Sequence, residues 1–186
     1  EMVVMERAIG TFELISVARG AATVDAMLKA ANVKLFHASP ICPGKYLIVV
    51  WGQVGAVKNA LNAGRQVAGE MLTDEMLLPN VHPSVFPALA CTTEVSEMGA
   101  LGVVEAMAAP CIIEAADTAA KAAKILLIEI RLGRGMGAKS FFSMGGDISE
   151  VKTALTAAKE LIINKGLLVD ISFIPNPHPD LKGAVL

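Results

Sequence analysis

The sequence predicts two α+β sandwiches of ferredoxin-like type in tandem, each with one helical layer against one sheet. Three observations predict it. First, the chain repeats itself: "AIGTFE" from Ala8 lies against "ALGVVE" from Ala100 at an offset of 92, and "GQVGAVKNAL" from Gly52 against "GDISEVKTAL" from Gly146 at an offset of 94. The closing "LPNVHP" from Leu78 meets "IPNPHP" from Ile174 at an offset of 96. Second, each half alternates short β-rich runs with stretches of helical periodicity. Third, 186 residues, 54% of them hydrophobic but only 4% aromatic, suffice for cores of Ala, Val, Leu, Ile and Met.

The first unit spans residues 7–90 and the second 99–181, joined by the polar "CTTEVSEM" at 91–98. In the first, "AIGTFELIS" over Ala8–Ser16 has a strand's composition, and Val24, Met27, Leu28 and Ala31 predict a helix over 23–31. Val33–Ala38 and Lys45–Trp51 are β-rich runs on either side of "SPICPG". Val57, Leu61, Gly64 and Ala68 share one stripe of a helix over 54–71, and a last strand over 76–78 stops at Pro79. The second unit repeats the plan, with strands expected over 100–106, 125–131, 139–143 and 167–174 and helices over 112–123 and 148–164.

Composition excludes several classes of function. With 16 basic and 18 acidic residues the chain has no electrostatic footprint for nucleic acid. No run approaches the roughly 18 apolar residues of a membrane span, and "EMVVMERAIG" does not read as a signal peptide. A reducing, cytosolic setting is expected, and three cysteines give no disulfide framework. Cys42, Cys91 and Cys111 are far apart, with no CxxC to gather a metal within one chain. Taken alone, Cys42 reads as an inert thiol. His82 and His178 occupy equivalent PNxHP turns, which points to a shared role in the fold.

The ordered set "AIGTFELI", "DAMLKAANV", "GQVGAVKNAL" and "PNVHP", present twice, resembles the bacterial microcompartment shell domain over nearly the whole chain. The resemblance implies a structural protein, not an enzyme, of flat hexagonal tiles around enzyme compartments in the cytoplasm. A tandem member forms a homotrimer with six domains in a ring, a pseudohexamer. Its implied partners are other shell proteins and enclosed redox enzymes. The hairpin loops of the family surround the ring axis, so the implied pore residues are Ser39, Pro40, Ile41, Cys42, Pro43 and Gly44 in one loop. In the other they are Gly133, Arg134, Gly135, Met136 and Gly137. Lys29 and Lys121 are the implied tile edge, although Asn80 and Asn176 stand where the family often has arginine.

The "ICPGK" stretch further resembles tandem members whose loop cysteine is an iron–sulfur ligand, which implies a [4Fe-4S] cluster held by three copies of Cys42. Soft thiolates in a reducing setting suit such a cluster or zinc. A cubane has a threefold axis through one iron, so three equivalent thiolates can hold the other three. The second loop has Arg134 or Met136 opposite Cys42, depending on where its two extra residues fall, and no further thiol. Pro40 and Pro43 stiffen the first loop, Gly44 lets its backbone come close, and Arg134 can offset negative charge. The glycines of the second loop are turn residues or allow it to swing. Two other readings stand beside the cluster: an axial opening for small polar metabolites, and an enzyme with Cys42 as nucleophile. The last lacks a paired base and a phosphate loop.

Overall fold

The computed structural model describes residues 7–95, 99–133 and 135–181. Part of the 91–98 linker and Arg134 therefore lie outside the described residues. Two compact units divide between Val81 and His82. The first has the order β1 (Ala8–Leu14), α1 (Val17–Ala30), β2 (Lys34–Ile41), β3 (Lys45–Gly52), α2 (Val54–Ala68) and β4 (Leu72–Leu78). Its strands pair in the order β2-β3-β1-β4, all antiparallel. This is the ferredoxin-like arrangement that the sequence predicts.

Each element has a local cause. Ser16 caps α1 by accepting the Arg19 N–H at 3.2 Å, and Gly69 ends α2 at φ 54° and ψ −135°, a backbone conformation that glycine adopts most readily. Alternation along β1 sends Ala8, Phe12 and Leu14 into a core with Met27, Ile48, Val50, Val57 and Leu61. At Gly10 the strand comes so close to α2 that an added Cβ would sit 2.7 Å from Val57 Cγ1. Burying these side chains contributes about 1.5–3 kcal/mol for each large one. The helix α1 starts six residues earlier than its apolar stripe indicates, because small residues such as Gly20 form its buried face there. Strand β2 runs past the predicted end at Ala38 and takes in Ser39, Pro40 and Ile41. It lies at the sheet edge, where a proline without an N–H is tolerated.

The second unit opens with a short helix, α3 (Val85–Leu89), which the sequence pattern does not announce. There follow β5 (Ala100–Ala106), α4 (Ala109–Ala122), β6 (Leu126–Arg131), β7 (Ser140–Gly146), α5 (Ile148–Asn164) and β8 (Leu168–Ile174). The strand order is β6-β7-β5-β8, the same topology. α3 packs against β6 and α4, so residues from His82 onward belong to this compact unit. The two PNxHP turns use their histidines alike: Nδ1 of His82 accepts the Ser84 N–H at 3.3 Å, and Nδ1 of His178 the Asp180 N–H at 3.2 Å. Among the described residues no helix is long and apolar enough to cross a membrane.

Candidate functional site

The hairpin joining β2 to β3 positions Cys42. Ile41 and Lys45 close the ladder as a cross-strand pair, so the turn itself is only Cys42, Pro43 and Gly44. Gly44 has φ 72°, which a residue with a Cβ rarely adopts, and no atom lies within 4 Å of where that Cβ would be. The Cys42–Pro43 peptide is cis. Cys42 is a free, half-buried thiol at this tip. Beneath it Ile41 is buried, and Lys45 donates to the Glu13 carboxylate at 2.8 Å, tying the start of β3 to β1. Ser39 Oγ lies 2.7 Å from His37 Nε2 on the edge strand.

The equivalent hairpin, β6 to β7, is longer and carries no thiol. Gly133, Gly135 and Gly137 have φ of 57°, 68° and 60°, and Ala138 has 75°. Each glycine is thus a turn residue in the left-handed region. The Gly133 N–H donates to Ser140 Oγ at 3.1 Å, and the Lys139 N–H to the Met136 carbonyl at 3.2 Å. Lys139 pairs with Glu105 at 3.0 Å, repeating the Lys45–Glu13 link. On β6, Arg131 donates to Glu129 at 2.6 Å where β2 has Ser39 and His37. That hydrogen bond raises the guanidinium above its already high ordinary pKa, against the opposing effect of burial.

The other candidates fall elsewhere. Cys91 is exposed with φ 54°, and Cys111 is buried in the first turn of α4. Lys29 and Lys121 occupy the last turns of α1 and α4, where cations complement the helix dipole. Each pairs with the aspartate one turn earlier, Asp25 or Asp117, at 2.6 Å. Nothing in the sequence pattern singles out Lys45 or Lys139 as anchors of the hairpins. Their signal is a lysine two residues before the cross-strand partner of Glu13 or Glu105, Leu47 or Phe141, once the strands are in register.

Within one chain, the described residues contain no group of three or more His, Cys, Asp or Glu able to hold a metal. The hairpin tip presents one soft sulfur donor per chain, with open space beside Gly44, a donor type that suits zinc or an iron–sulfur cluster. Paired ligands from a single chain would require a second cysteine near the first, and neither Cys91 nor Cys111 lies on this hairpin.

Comparison with known proteins agrees with both the fold and the duplication. The BMC domain matches residues 8–81 and again 100–177. The chain is 44% identical over 177 residues to the bacterial microcompartment shell protein PduT of Citrobacter freundii, covering 95% of this chain and 96% of that one. A crystal structure of a microcompartment protein from Desulfitobacterium hafniense DCB superposes with a TM-score of 0.92 at 44% identity, covering 95% of this chain and 98% of that chain. The fused permuted hexameric shell protein MSM0275 shares the fold at a TM-score of 0.63 and 22% identity, over 85% of this chain and 84% of its own. With two matched domains over most of its length, the chain belongs to the BMC-domain family of bacterial microcompartment shell proteins, in its tandem, PduT-like form.

Proposed function

We propose that the chain is a shell subunit of a bacterial microcompartment that forms a homotrimeric tile, with three copies of Cys42 holding a [4Fe-4S] cluster at the centre of the ring. The observation that carries this reading is the asymmetry of the hairpins: Cys42 stands at the tip of one, and the other has none. A threefold ring of such chains offers three equivalent thiolates, which match three irons of a cubane. Cys42 supplies the ligand, Gly44 leaves room beside it, and the Lys45–Glu13 ion pair fixes the base from which the turn projects. The bound cluster would supply one-electron transfer, serving electron passage across the shell or cluster delivery to enclosed redox enzymes. Lys29 and Lys121 would face neighbouring shell proteins.

The test is anaerobic purification with mass, iron and sulfide analysis. The expected material is brown, has a mass near three times 19.4 kDa, and carries about four irons per trimer. Cys42→Ser should lose the iron and keep the trimer, because the turn lies outside the core; Cys91→Ser and Cys111→Ser should keep both. Iron that persists in Cys42→Ser, or zinc in its place in iron-replete cells, removes the cluster and leaves the axial opening as a conduit for small polar metabolites. A monodisperse monomer at micromolar concentration removes the tile.

A further inference from the structure

At the other end of β3 from Cys42 the two units differ in a way that points to a ligand. In the second unit Glu150, in the first turn of α5, accepts the backbone N–H of Lys124 at 2.7 Å. The equivalent positions of the first unit, at the same offsets of 94 and 92, are Ala56 and Asn32, so the Glu150 carboxylate has no counterpart there. In its place is a pocket of about 290 Å³, lined by Trp51 with Arg7, Asn32, Lys34, Gln53 and Ala56. The cross-strand pairing of Lys34 with Trp51 sets the Lys34 ammonium 5.1 Å from the indole centroid, and the Arg7 guanidinium lies 6.0 Å from it. Lys34 forms no ion pair among the described residues, and the described lining contains no acidic side chain. Gln53 makes no side-chain cap on α2, which leaves the first-turn N–H groups of that helix facing the same end. The start of α5 likewise lacks a side-chain cap, but the cations and the indole are not repeated in the second unit, where Gly99, Leu126 and Gly145 stand for Arg7, Lys34 and Trp51.

We propose that this pocket binds a carboxylate which its described lining does not supply, carried by a small organic acid whose short apolar body lies against Trp51. Two cations, the amide of Asn32 and an uncapped helix end provide for the charge, where the second unit offers Glu150 the backbone N–H of Lys124. The volume admits a compact acid and little more. The site lies at the opposite end of β3 from Cys42, so it can fail without the cluster and the cluster without it.

Trp51 is the chain's one tryptophan, so its emission reports on the pocket. The full-length protein is titrated with sodium propionate against sodium chloride at equal ionic strength, which removes simple screening. A saturable change with propionate beyond that with chloride is expected. Lys34→Ala should weaken it about tenfold, the worth of one charge-assisted contact. Ala56→Glu, which gives the first unit the carboxylate that the second has, should abolish the response while circular dichroism is unchanged. No saturable change below about 100 mM, weaker than any millimolar site, overturns the proposal. A Lys34→Ala titration superimposable on the parent overturns it equally, and decides the matter alone if Ala56→Glu does not fold.

Discussion

The two units share a backbone plan down to its irregularities and fill it with different side chains. Ala8 faces Gly52 as Ala100 faces Gly146, and the pairing with the last strand shifts register after Glu13 in one and after Glu105 in the other. The edge strands are irregular at matching places, between Leu35 and His37 and between Leu127 and Glu129. Inside, bulk has been exchanged between facing positions. Gly20 lies under Tyr46 in the first unit, where the second has buried Ile112 and Ser140. Gly64 makes room for Phe12 and Met27; its counterpart Ala158 faces a unit with Val104 and Ala119 at those places. The comparison teaches that the duplication holds register throughout, conserves summed volume at the Gly20–Tyr46 pair but not around Gly64, and lets identity drift. The hairpin tips and the surroundings of Trp51 differ in kind.

The sharpest way to break this comparison is to move one side of an exchanged pair. A Cβ on Gly20 would lie 2.3 Å from Tyr46 Cδ1, so Gly20→Ile forces ring and helix apart. The expected loss is about 3 kcal/mol, at the upper end for overpacking. Gly20→Ile with Tyr46→Ser copies the second unit's pair and should recover a large part of it, with a coupling of about 1–3 kcal/mol in a double-mutant cycle by urea unfolding. Additive single effects would show that the two residues do not trade volume.

The paired anchors of the hairpins give the next effect. The Lys45–Glu13 bridge has a Glu13 side chain only 3% exposed, whereas Lys139 and Glu105 are 40% and 30% exposed. Lys45→Met keeps the stem and removes the charge, leaving the Glu13 carboxylate buried beside an uncharged side chain, and should cost about 2–3 kcal/mol. Lys139→Met should cost under about 1 kcal/mol. Equal losses in urea titrations would mean that burial of the glutamate does not set the weight of the bridge.

Most of the fold is legible in the sequence because the duplication lets each unit check the other. The strand Ala100–Ala106 and the helix Ile148–Asn164 have the bounds their patterns predict. Legibility fails where an element has little to bury or too few residues to show a period. Strand β4 begins at Leu72, four residues before its predicted start, because its edge position leaves Thr73 and Glu75 exposed and unlike a strand's usual composition. Strand β7 continues through Met144 and two glycines, and α3 has five residues with Pro87 among them. Cys42 alone reads as an inert thiol, and it becomes a site candidate only through the resemblance of its loop to that of the shell family. The pocket at Trp51 is not, since Arg7, Lys34, Trp51 and Ala56 come from separate segments that meet only when β2 pairs with β3. Its one trace in the sequence is the mismatch of Ala56 with Glu150 across the repeat.

The smallest expected effect separates a lysine's part in the fold from its part in assembly. Lys29 and Lys121 make the same ion pair at 2.6 Å, but the first pair is 73% and 61% exposed while Asp117 is only 4% exposed. Asp117 also accepts the His82 N–H at 2.7 Å, so in the second unit the pair helps hold the segment leading into α3. Lys121→Ala removes one partner of a buried carboxylate that keeps another, and should cost about 1 kcal/mol. Lys29→Ala removes an exposed i,i+4 pair worth about 0.3–0.5 kcal/mol, reduced further by salt. If both lysines also meet neighbouring tiles, either change should reduce extended sheets seen by electron microscopy, while only Lys121→Ala visibly shifts the urea midpoint. Sheets unaffected by Lys29→Ala would return that residue to a solvated helix end, and a midpoint shift as large as that of Lys121→Ala would mean that the buried Asp117 adds nothing.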